Sequence, residues 1–143
     1  MSNVVKMFPA SLSSLQEIRE FVFKKCTSMD FNKKKTYGLC LAVEEIATNI
    51  ITHGYPKAGI GLGIIEVDVQ DAGKQLTVTL KDSAVAFDPL QHHLHSNANL
   101  NMPPDERPVG GLGILLAMQN VDEFKYERNE QFNANLFIIH STS

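Results

Sequence analysis

The chain has 143 residues, 43% apolar and 20% charged, and its 13 Lys and Arg against 16 Asp and Glu give a formal net charge of −3. That is enough chain for one globular domain with a buried core, and the acid excess supplies no basic field for gripping a phosphate backbone, so nucleic acid is not an expected partner. No charged-then-apolar leader opens the sequence and no apolar run approaches the ~20 residues of a membrane span, so no membrane association and a cytoplasmic location are expected.

Taken in order, Val4 to Phe8 is a short apolar run stopped by Pro9, the pattern of an edge strand. Ser11 or Ser13 then caps a helix over Leu12–Met29, whose apolar side is Leu12, Leu15, Ile18, Val22 and Cys26 at steps of three and four. Asn32 to Lys35 reads as a basic, solvated link. Thr36 to Gly54 is dense in helix formers and ends on a Gly, Gly54, where a helix should stop. On that helix Glu45 and Asn49 are four apart, so a carboxylate and an amide share one face a turn apart. Cys26 and Cys40 have no His at metal-ligand spacing and are most simply two reduced, packed thiols.

Proline and three glycines punctuate Pro56 to Gly63 as a turn. Two strands follow, Ile64–Val69 and Leu76–Leu80, joined by hairpin chemistry at Asp71 to Lys74, with Asp82 at the second strand's tip. From Leu90 to Pro108 periodicity is lost, and a loop of that length in a compact domain is commonly a lid or binding loop. Gly110, Gly111, Leu112 and Gly113 lead into a short apolar helix over Gly111–Gln119. Such glycine turns at helix N-termini are natural anion cradles, although a plain loop reads equally well from the residues alone. Glu123–Glu127 and Ala134–Ile139 close the chain as strands. The expected organisation is one domain over residues 1–143, with a lid over 90–109.

Three separated stretches therefore carry candidate chemistry: Glu45 with Asn49, Asp82, and the turn at Gly110 to Gly113. In that order they resemble the N box and the first and second glycine boxes of the histidine-kinase-like ATPase superfamily. More narrowly, the stretch Leu41 to Tyr55, the stretch Glu106 to Ile114, Val121 to Glu123 and Tyr126 to Arg128 are similar to the stand-alone anti-sigma factor serine kinases.

The resemblance implies the Bergerat ATP-binding fold, a two-layer α/β sandwich whose mixed, mostly antiparallel sheet is covered on one face by three helices. It implies ATP or ADP with Mg²⁺ as cofactors. Asn49 would chelate Mg²⁺ through its amide oxygen, Glu45 would be the general base, and Asp82 would take the adenine amino group. The backbone of Gly110, Gly111, Leu112 and Gly113 would close on the phosphates, with Arg107 in the lid neutralising the terminal one. The sequence departs from the family at Ala84 and Ala86, where the adenine box carries Gly and a later Gly or Pro. Each adds a methyl where backbone passes close to nucleotide.

The implied activity is transfer of the γ-phosphate of Mg-ATP to a serine of an anti-sigma-factor antagonist of the STAS type, with sequestration of a sigma factor in the other state and homodimerisation. The alternative is a non-catalytic, nucleotide-gated module whose lid presents a partner surface without phosphoryl transfer. Ala84 and Ala86 favour the alternative; Glu45 favours the kinase, because binding alone needs no base. There is no P-loop and no His-Arg-Asp or Asp-Phe-Gly motif of a conventional protein kinase. His92, His93 and His95 read as a polar lid rather than a metal site, and His53 as a helix-end residue interacting with the dipole.

Overall fold

The computed structural model of the protein describes residues 2–89 and 119–141. Five strands, β1 (Ser2–Pro9), β2 (Ile64–Asp71), β3 (Gln75–Asp82), β4 (Glu123–Arg128) and β5 (Asn133–His140), form one sheet in the order β1-β2-β3-β5-β4. All four pairings are antiparallel, so the parallel pairing of a mixed sheet is not among the described strands. The sequence's edge strand is indeed an edge. β5 inserts between β3 and β4, which places Asn133 directly opposite Asp82.

Alternation sorts the side chains onto two faces. Ile65, Val67 and Val69 on β2, Leu76, Val78 and Leu80 on β3, and Phe137 and Ile139 on β5 are fully or almost fully buried beneath the helices. The opposite face carries the ion pairs Glu66 with Lys81 and Glu123 with Lys125, each at 3.7 Å.

The covering helices are α1 (Leu15–Ser28) and α2 (Lys33–Asn49). α1 buries Ile18, Val22 and Cys26 of the predicted stripe; Leu15 is half-buried, and Leu12 is 61% exposed because the first turn, Leu12–Ser14, is 3-10 rather than α-helical. Neither Ser11 nor Ser14 makes a side-chain cap; Ser11 and Ser13 bond each other instead (2.8 Å). Its far end stops at Asp30, whose φ of +63° is left-handed. There Phe31 N–H donates to the Cys26 carbonyl (3.4 Å) and Asp30 N–H to Thr27 (3.5 Å), the bonding of a Schellman cap.

α2 begins earlier than expected. Asn32, read as part of a linker, is its N-cap, with Oδ1 accepting from Lys35 N–H (2.8 Å), and the lysines form the first turn. Lys35 is committed to Asp122 at 2.7 Å. Cys26 and Cys40 are free and buried, and burial pushes their thiols up to about 12 and about 11, which makes them inert packing groups. The third expected helix, Gly111–Gln119, lies outside the described residues except at Gln119. Among the described residues no helix is long and apolar enough to cross a membrane.

Candidate functional site

A cavity of about 560 Å³ opens between the C-terminal end of α2 and the ends of β3 and β5. That volume suits a small-molecule ligand. Ile46, Asn49, Ile50 and His53 line it from the helix side, with Gly54 and Lys57 beyond them. Asp82, Ala84, Ala86 and Phe87 form the opposite wall, and Asn133 and Asn135 of β5 complete it.

The helix does not stop at Gly54. After Asn49 it widens into a π turn, Ile50–Gly54, then resumes as α3 (Tyr55–Lys57). Thr48 and Thr52 donate their hydroxyls to the carbonyls of Glu44 and Thr48 (2.7 Å each), loosening the helical ladder on both sides of Asn49. π turns of this kind recur at functional sites. Gly54 has a right-handed φ of −62°, so it is no left-handed cap. Its missing side chain serves a close approach, because a Cβ there would meet the Cβ of Ala84 at 3.1 Å.

Tyr55 fastens this region to the sheet. Its hydroxyl donates to the Ile64 carbonyl (2.5 Å) and accepts from Ser83 N–H (3.0 Å), so the helix end, the start of β2 and the loop after β3 meet at one oxygen. The ring lies where a side chain at position 63 would be, with its atoms 2.3 Å from a Cβ built on Gly63.

Asp82 is 3% exposed. Burial pushes its carboxyl up, opposed by hydrogen bonds from Asn133 and from Ala84 N–H and by the Arg128 guanidinium. Its Oδ1 accepts from Asn133 Nδ2 (2.9 Å) and Ala84 N–H (3.0 Å). The same Asn133 amide donates to the carbonyls of Ala84 (3.3 Å) and Val85 (3.1 Å), and Arg128 Nη1 also reaches the Ala84 carbonyl (3.2 Å). Tyr126 donates its hydroxyl to Asn133 Oδ1 and accepts from Phe87 N–H (3.3 Å). The loop after β3 is thus clamped from β4 and β5.

Five buried side-chain polar atoms lack a hydrogen-bond partner among the described residues, and three of them belong to cavity residues: Asn49 Nδ2, Asp82 Oδ2 and Asn135 Oδ1. An unpaired buried polar atom costs ~1–3 kcal/mol, so these three leave donor and acceptor capacity beside the hollow that a ligand bearing both could meet.

The structure brings Asn49, Asp82, Ala84 and Ala86 to the lining of this one cavity. Glu45 sits one turn before Asn49, is half-buried, and is not among the lining residues. Arg107, Gly110, Gly111, Leu112 and Gly113, with the lid and its histidines, lie outside the described residues. His53, expected as a structural helix end, lines the cavity with Lys57. Sequence reasoning missed Lys57, Tyr126, Arg128, Asn133 and Asn135. The legible signals were the resemblance carried by the stretch Tyr126 to Arg128, which assigned those residues no role, and the inward alternate positions of Asn133 and Asn135 on a strand that also buries Phe137 and Ile139.

An antiparallel sheet covered on one face by helices, with a cavity between the long helix and a strand-tip acid, is the architecture of an ATPase-type nucleotide-binding domain. The chain belongs to the histidine kinase-like ATPase domain family, whose model matches residues 8–137. Among solved structures it resembles the RsbU and RsbW domains of Rv1364c from Mycobacterium tuberculosis, with a TM-score of 0.67 and 13% identity. That match covers 99% of this chain and 33% of the other, so the chain spans about a third of that neighbour's length. No curated protein matches the chain. Family membership implies nucleotide binding, and this cavity carries buried acceptor and donor atoms without partners among the described residues.

Proposed function

We propose that the protein binds Mg-ATP in this cavity and transfers the γ-phosphate to a serine of an anti-sigma-factor antagonist, sequestering a sigma factor in its other state. The observation that carries the nucleotide reading is the convergence on one hollow of Asn49, Asp82 and Asn135, each with a buried polar atom unpartnered among the described residues. The fold shared with a chain containing an RsbW domain supports the choice of a regulatory kinase within the family.

In this reading Asp82 Oδ2 accepts from the adenine amino group, and Asn49 offers its amide oxygen to Mg²⁺. Among the described residues no group of three His, Cys, Asp or Glu is placed to hold a metal, so the ion would rest on this amide, nucleotide phosphates and water. The ion would neutralise charge developing on the phosphates. Glu44 is occupied by Arg19 at 3.6 Å, whereas Glu45 makes no ion pair or hydrogen bond among the described residues. Glu45 is therefore the carboxylate free to act as base. It accepts the serine Oγ proton as that oxygen bonds the γ-phosphorus, and the bond to the β-phosphate oxygen breaks to release ADP. His53 and Lys57 offer additional donors along the helix side of the cavity.

Glu45's absence from the cavity lining favours a second reading, a nucleotide-gated binding module without transfer. Incubating the protein with γ-labelled ATP, Mg²⁺ and a candidate antagonist separates the two. Label on the antagonist that vanishes with Glu45→Ala supports the kinase. Bound ATP with no transfer by the wild-type protein supports the module.

A further inference from the structure

Asp82 supplies two oxygens, and the fold treats them differently. Oδ1 is held by Asn133 Nδ2 and Ala84 N–H, while Oδ2, buried in a residue that lines the cavity, has no partner among the described residues. The orientation of the Asn133 amide follows from its surroundings. It faces the carbonyls of Ala84 and Val85, which only accept, so its nitrogen must point at them and at Asp82. Its oxygen is then the atom that faces Tyr126, whose hydroxyl must donate to it and is left to accept from Phe87 N–H. Each link fixes the direction of the next.

We infer that Tyr126 and Asn133 are positioning residues that set nucleobase selectivity, by holding Asp82 with one oxygen committed and the other presented as an acceptor. Tyr126 does this from outside the cavity lining. A fixed acceptor matches an amino group at the six-position of a purine and repels the carbonyl oxygen of guanine. A carboxyl released from Asn133 can turn, or carry a proton towards that carbonyl, and the distinction weakens. Sites built on a placed hydrogen-bonding group discriminate strongly for this reason. The inference rests on the adenine-nucleotide reading above.

The test is calorimetric titration of Mg-ATP and Mg-GTP into the wild-type protein, Tyr126→Phe and Asn133→Ala, with thermal melts to confirm folding. The wild-type protein is expected to prefer ATP. Asn133→Ala should lower the ATP-to-GTP affinity ratio about tenfold and Tyr126→Phe severalfold, in line with one lost hydrogen bond. A purely structural role would weaken both nucleotides equally and leave the ratio intact. If Asn133→Ala does not fold, Tyr126→Phe decides alone, since it keeps the ring and removes only the hydroxyl. An unchanged ratio in the folded variants overturns the inference while leaving ATP binding standing. A wild-type protein that binds neither nucleotide, or binds both alike, overturns the adenine reading and this inference with it.

Discussion

Asp82 combines a stability cost with the binding role proposed for it, and the two depend on pH in opposite directions. Burial raises its carboxyl above the ordinary 3.8, so the native state holds the proton more tightly than the unfolded chain does. The associated stability is complete below the ordinary value and is lost as pH rises through the raised one. Asp122 behaves in reverse. Burial works to raise it, but Lys35 and His140 N–H prevail and hold it low, so its contribution is lost as pH falls. Comparing wild type with Asp82→Asn cancels the Asp122 effect. Denaturation midpoints should show the variant gaining on wild type as pH rises through the carboxylate range, while its ATP affinity falls because an amide nitrogen meets the amino group. A stability difference that does not vary with pH would contradict the burial argument. At Asn49 the expected result is loss of the Mg²⁺-dependent part of ATP binding in Asn49→Ala, with about tenfold weaker affinity on the scale of one lost charge-assisted contact. Titrations with and without Mg²⁺ check it, and superimposable wild-type and variant curves would remove Asn49 from the metal's ligands.

Elements meet at this site through two small residues. Gly54 on the helix and Ala84 on the loop stand where a second methyl would bring Cβ atoms to 3.1 Å. The pair explains how the chain tolerates Ala where the resemblance expects Gly: the space has been ceded by the helix. Gly54→Ala alone sets an overpacking cost of about 1–3 kcal/mol against a helix-propensity gain of about 1 kcal/mol, for a net loss of up to about 2 kcal/mol, and should weaken nucleotide binding. Gly54→Ala with Ala84→Gly should recover most of both losses, a coupling that chemical denaturation and titration can measure. Independent, additive losses would mean the two residues do not compete for that space. At the other end of α2, removing the Asn32 cap in Asn32→Ala should cost about 1 kcal/mol in urea denaturation, with nucleotide affinity unchanged. A cost near zero would return residues 32–35 to the status of a linker.

Across the whole molecule, what could be read in advance followed from local chemistry. Alternation located β2, β3 and β5, the three-four spacing located the buried stripe of α1, and the two boxes located Asn49 and Asp82. What could not be read depends on pairings between distant segments. Asn133 reaches Asp82 because β5 pairs with β3 rather than only with its sequence neighbour β4, an order that no single strand encodes. Gly54 looked like a stop signal because its neighbour Ala84, thirty positions on, was invisible. The basic residues at 33–35 looked like a linker because Asp122, which takes Lys35, lies on the far side of the chain.

The most direct measurement is a crystal structure with a non-hydrolysable ATP analogue and Mg²⁺. The expected complex has the adenine amino group on Asp82 Oδ2, the ion on the Asn49 amide oxygen, and Asn135 in contact with the nucleotide. An analogue bound elsewhere, or one in this hollow with Asp82 and Asn49 both untouched, would contradict the account.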